Sequence, residues 1–171
     1  MMAHAQIKIR RYIMFLVQDD MKSRERKLRQ FIRSDASVGL IFSVINFEWI
    51  LRRAIIALST SSNVEVRTLL ESKSGGMDGY KEAWNKEVYP RTRKRIHEAI
   101  PEWNDFKESI KMRNMLVHGI KSVTWDRAAE NAITVLHASQ SLIQFCKDND
   151  VDVFQRLPVR RHIKRNYLSK S

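Results

Sequence analysis

The sequence predicts an all-α protein, an up-and-down helical bundle, and three observations carry that expectation. Apolar residues return at three- and four-residue spacing through several long stretches. Glycine and proline are scarce, five and three in 171 residues, which suits long helices better than a turn-rich β protein. Hydrophobic residues make up 43% of the chain and include four tryptophans, enough for a packed core rather than disorder. At this length one well-buried domain is expected. It is assigned to residues 36–148, with a basic helical arm before it (1–35) and a basic tail after it (149–171).

In the arm, residues 4–33 carry Ile7, Tyr12, Ile13, Leu16, Leu28, Phe31 and Ile32 among many cations, predicting helix broken near Asp19 and Asp20. Ser34 or Asp35 can cap the next helix. In it Leu40, Ile41, Val44, Ile45, Phe47, Leu51, Ile55 and Leu58 cover more than one face, so this helix is expected to be central. Asn63 can cap a short helix to about Ser72, and Ser74-Gly75-Gly76 then breaks the chain. A helix from about Gly79 to Val88 is bounded by Pro90, and a further turn or two carries Arg91 to Arg95. Pro101 fits the first turn of the helix bearing Trp103, Phe106, Ile110, Leu116 and Val117, which Gly119 can stop. Thr124 is the candidate cap of the last helix, to about Lys147, whose predicted buried face includes Trp125, Ala129, Ala132, Ile133, Leu136, Ile143 and Phe145.

The formal net charge is +12, from 31 Lys and Arg against 19 Asp and Glu. That balance favours a polyanionic partner. Cys146 is the only cysteine, which excludes an intramolecular disulfide and suits a reducing compartment. Lys8, Arg10 and Arg11 before an apolar run mimic a signal peptide, but Gln18-Asp19-Asp20 follows where a cleavage site would stand. No stretch approaches the roughly 20 apolar residues of a membrane span, and acidic residues dilute the arm as a membrane anchor. A cytoplasmic protein with no membrane partner is expected.

Chemistry concentrates at Arg113-Asn114-Met115-Leu116-Val117-His118, closed by Gly119. Asn114 and His118 are one helical turn apart and share a face. Arg113 points about 100° away from Asn114, with a side chain long enough to swing back. Arginine offers a permanent planar fork to phosphate. Histidine exchanges protons near neutrality, and the partial negative charge of a helix C-terminus favours its cation, so a proton-donor role is expected. Chance also produces such helix ends, where the histidine merely caps. No metal or cofactor is expected: the histidines stand apart, no phosphate loop follows Gly75-Gly76, and one cysteine excludes a zinc ribbon.

The arginine and histidine with four residues between them, the polar Asn114, the flanking Phe106-Lys107-Glu108-Ser109-Ile110 and the upstream acid Glu48 resemble the HEPN superfamily of small helical bundles. The resemblance implies a metal-independent endoribonuclease, with Arg113, Asn114, His118 and Glu48 as catalytic residues and two motifs facing each other in a homodimer. It further implies a prokaryotic toxin or antiviral defence effector, with a cognate antitoxin or larger defence complex as partner. One branch of the family carries a tyrosine where Ile120 stands, and that branch fits poorly. Glu48 also lies four residues before Arg52, a pairing that needs no function.

RNA contacts are expected from Lys86, Arg91, Arg93, Lys94 and Arg95, interleaved with Tyr80, Trp84 and Tyr89. The competing expectation puts Tyr80 and Trp84 in the core. In the tail, Arg160, Arg161, Lys164 and Arg165 either hold nucleic acid or stay solvated. A non-catalytic RNA- or nucleotide-binding module and a basic helical adaptor are the alternatives.

Overall fold

Asp20 opens the first helix, its carboxylate accepting the Ser23 N–H at 2.7 Å, and α1 runs Met21–Ser34. The structure is a computed structural model that describes residues 20–72 and 76–160. The arm up to Asp19 and the tail cations Arg161, Lys164 and Arg165 lie outside the described residues. Among those residues the chain is all-helical, with no strand: α2 (Ala36–Leu58), α3 (Asn63–Ser72), α4 (Met77–Glu87), α5 (Tyr89–Thr92), α6 (Ile96–Ala99), α7 (Trp103–Val117) and α8 (Trp125–Lys147) follow α1. No helix among them is long and apolar enough to cross a membrane.

Of the two residues able to cap α2, Asp35 does so, accepting from the N–H groups of Ser37 and Val38. The chain reverses within that single residue. Arg24 of α1 meets Asn46 of α2 at 3.3 Å, while Gly39 lies against Ile32, so the two helices run antiparallel. A Cβ on Gly39 would come within 2.7 Å of the Ile32 backbone. Glycine is what permits this approach.

α2 is the central element, as its wide apolar pattern predicts: Leu40, Val44, Phe47, Leu51, Ala54, Ile55 and Leu58 are fully buried. α7 and α8 form a second antiparallel hairpin across it. Ser109 donates to the Asn131 side chain at 2.9 Å, and Ser141 donates to Glu102 at 3.1 Å. Phe47 and Phe106 fill the α2–α7 contact with ring centroids 4.0 Å apart.

Several local expectations are corrected. Ser62, not Asn63, caps α3, because Ser62 and Glu65 exchange hydrogen bonds in a capping box (Ser62 Oγ to Glu65 Oε2, 2.8 Å). Asn63 instead holds the returning chain, bonding Arg160 N–H and the Pro158 carbonyl. Pro101 lies in the turn before α7 rather than within it, and the unforeseen α6 is one short turn. On α8, Trp125 is 55% and Ile133 39% exposed, so neither belongs to the core face. Within the tail assigned to 149–171, residues up to 160 lie against the bundle. Val153 is buried, Phe154 lies on Trp49, and Arg53 donates to the carbonyls of Val153 and Gln155.

Candidate functional site at the end of helix α7

Helix α7 ends in a Schellman turn. Gly119 adopts φ 64°, its N–H bonding the Leu116 carbonyl at 3.2 Å and Ile120 N–H bonding that of Met115 at 2.9 Å. His118 is therefore the C-cap residue, its N–H donating to the Asn114 carbonyl at 3.0 Å. The imidazole stands at the rim of a rigid helix end. Asn114 and His118 are both exposed, on the shared face their spacing predicts.

Arg113 behaves differently. It turns toward α2, where one Nη donates to Glu48 at 3.3 Å, bringing together two residues 65 positions apart. Its Nε is buried and has no hydrogen-bond partner among the described residues. That leaves one donor of the fork unsatisfied beside a carboxylate that satisfies only part of it.

The neighbours of Glu48 define its charge. Burial pushes the carboxyl above its ordinary value, while the guanidiniums of Arg113 and Arg52 pull it back. Arg52 donates through Nε to the Tyr80 hydroxyl at 2.9 Å, and burial raises that phenol too. Glu48, Arg52, Tyr80 and Arg113 thus form one polar cluster where α2, α4 and α7 meet. No side-chain hydrogen bond or ion pair ties Asn114 or His118 into it among the described residues. On an ideal helix Arg113 and His118 point about 140° apart, which matches their separate surroundings.

Val117 and Ile120, next to the histidine in sequence, are 54% and 65% exposed, as is Trp125 at the start of α8 at 55%, and the polar Asn114 and Lys121 are exposed too. Cys146 is no nucleophile here, since its thiol is buried and pushed up to about 12. Among the described residues, no group of three His, Cys, Asp or Glu side chains stands ready to hold a metal ion.

Lys86, Arg93, Lys94 and Arg95 are exposed. Arg91, exposed as well, and Arg160 also bond the fold, and Lys94 lies 3.9 Å from Glu98. Arg160 donates to the carbonyls of Ile56 (3.2 Å) and Ala57 (2.7 Å) and to Ser59 Oγ (3.0 Å), and Arg91 reaches the Ala57 carbonyl at 3.3 Å. Both close the C-terminus of α2, where cations complement orphan carbonyls. Of the aromatics, Tyr80 and Trp84 are core residues at 8% and 0% exposure. Only Tyr89 remains half-exposed.

The neighbours of Tyr89 were only partly visible in the sequence. Lys81, Asn85, Tyr89, Arg95, Ile96 and His97 line a cleft of about 490 Å³. The repeat of Lys81, Asn85 and Tyr89 every fourth residue was the available signal. No family model, curated protein or solved structure matches this chain.

Proposed function

We propose that the protein is a metal-independent endoribonuclease whose Arg113–His118 motif works in pairs. The observation that carries this proposal is the half-satisfied Arg113 fork held by Glu48 on the helix that presents His118. A phosphate oxygen accepting from the free Nε would complete the arginine's bonding and draw it from the carboxylate. In RNA cleavage the 2′-hydroxyl attacks phosphorus and the bond to the 5′-oxygen breaks. One proton leaves the 2′-oxygen and one reaches the departing 5′-oxygen, on opposite sides of the phosphorus. A single imidazole does not span both sides of an in-line displacement, whereas two copies do. Arg113 then stabilises the charge on the phosphorane-like oxygens, and Asn114 orients the histidine or substrate from the adjacent turn.

Val117 and Ile120, exposed next to His118 in the sequence, and Trp125, exposed at the start of α8, support pairing with a second copy through this surface. By resemblance to HEPN nucleases, the cell setting is that of a toxin or antiviral effector kept in check by an antitoxin or a larger complex. The alternative, an RNA-binding module without catalysis, is favoured by the lack of any hydrogen bond between His118 and the Arg113–Glu48 pair among the described residues.

Labelled RNA incubated with the purified protein in EDTA separates the two. Cleavage that disappears in His118→Ala supports the nuclease. Salt-sensitive binding without cleavage supports the module.

A further inference from the structure

We propose that the cleft between α4 and α6 is a binding site for a nucleotide unit, an aromatic base joined to phosphate. Its residues come from two walls. Lys81, Asn85 and Tyr89 lie along one face of α4 and α5, which continue into each other through the helical backbone of Val88 (φ −100°, ψ −45°). Arg95, Ile96 and His97 form the facing wall at the start of α6.

The second wall is fixed in place by the fold. Arg93 adopts the left-handed conformation at φ 56°, which disfavours a side-chain-bearing residue. Three bonds hold it there: Arg93 N–H to the Tyr89 carbonyl (2.8 Å), Thr92 Oγ1 to the Val88 carbonyl (3.1 Å), and the Trp84 indole N–H to the Lys94 carbonyl (2.9 Å). Buried Ile96 forms an apolar floor. Glu98 of α6 has its carboxylate on the Arg95 N–H at 2.7 Å and the Lys94 ammonium at 3.9 Å.

The functional groups of this cleft are uncommitted. Tyr89 stacks on no other ring among the described residues, and the side chains of Lys81, Asn85, Tyr89 and His97 make no hydrogen bond or ion pair there. The lining holds two permanent cations, a histidine, a carboxamide and an aromatic ring, and no carboxylate. A ring offers a stacking face to any base, the cations match phosphate, and the carboxamide can both donate to and accept from a base edge. The volume lies within the roughly 300–1,000 Å³ typical of small-ligand sites. The cleft beside α3 is larger, about 650 Å³, but its Arg160 is spent on the α2 carbonyls. Nothing in this site depends on cleavage at His118.

The same chemistry is offered by a free nucleotide and by one residue of single-stranded RNA, so both are probes. ADP and a fluorescein-labelled oligo(A) are titrated into the His118→Ala protein, in which cleavage is suppressed, with and without further substitutions. Tyr89→Ala is expected to weaken binding about fivefold or more, the loss of one stacked base, while Tyr89→Phe retains it. Removing two cations with Lys81→Ala and Arg95→Ala should flatten the salt dependence of oligo(A) binding by roughly 1.4 in log–log slope. Tyr89-dependent binding of ADP alone assigns the site to free nucleotides, and of oligo(A) alone to RNA. The proposal is overturned if neither probe binds below roughly millimolar concentration. It is equally overturned if the Tyr89→Ala and double cation variants, with unchanged helical circular dichroism, bind both probes as the parent does. RNA cleavage is not read in this experiment, so its outcome and that of the nuclease proposal are separable.

Discussion

Arg113 and His118 stand on one helix with four residues between them, yet they occupy different environments. The arginine is 23% exposed and bound to Glu48 in a cluster with Arg52 and Tyr80. The histidine caps the helix in solvent, between the exposed Val117 and Gly119 in the sequence. The arginine is therefore part of what holds α2 to α7, whereas the histidine is positioned by the backbone alone. Stability and chemistry should separate between them, and substitutions can test how cleanly.

The largest effect is expected at the exposed end. In the proposed mechanism His118→Ala lowers RNA cleavage by roughly two to four orders of magnitude. Thermal unfolding should stay within about 0.5 kcal/mol of wild type, as for other surface substitutions. A lowered melting temperature would instead make the histidine a structural cap. Arg113→Ala should lose both properties, because Glu48 then sits partly buried without this cation. A destabilisation of about 1–3 kcal/mol is expected in urea unfolding, alongside loss of cleavage.

A smaller effect tests the helix end itself. Gly119→Ala places a side chain at φ 64° and should cost about 1 kcal/mol or somewhat more. If the turn orients His118, cleavage falls further than stability alone explains. The smallest effect is electrostatic. Burial raises the Glu48 carboxyl, so the folded protein holds this proton more tightly than the unfolded chain. That contribution to stability is fully present below the ordinary carboxylate value and is lost as pH rises from there through the raised folded value. Glu48→Gln, which removes the titration, should therefore gain on wild type as pH climbs from acid toward neutral. Parallel unfolding curves at acid and neutral pH measure it, and a constant difference would show that Glu48 does not titrate abnormally.

The inward and outward halves also differ in how far they could be read from the sequence. Local signals were reliable where a residue acts on its own turn: Asp35 among the two cap candidates of α2, Gly119 as a stop, and the wide apolar pattern of α2. Choices between near-equivalent local partners were less so. Ser62 displaced Asn63 as a cap because Glu65 completes a reciprocal box and Asn63 is needed by the returning chain. Long-range pairing was beyond periodicity altogether. Glu48 and Arg52 are four apart and look like a helix pair, but their side chains go to Arg113 and Tyr80. Charge count likewise did not show that Arg91 and Arg160 have helix carbonyls as partners. Trp125 and Ile133 fit an apolar stripe on α8, yet both are exposed among the described residues. Of the two, only Trp125 belongs to the surface where a second copy is proposed to dock.

Pairing is the central claim, and the concentration dependence of RNA cleavage in EDTA tests it most directly. Initial rates are measured across the range in which sedimentation shows the protein passing from monomer to dimer. The proposed mechanism predicts cleavage that rises with the square of protein concentration where monomer predominates, becomes proportional once dimer predominates, and is abolished by His118→Ala. Cleavage strictly proportional to protein while it sediments as a monomer, or no cleavage by the dimer, would contradict it.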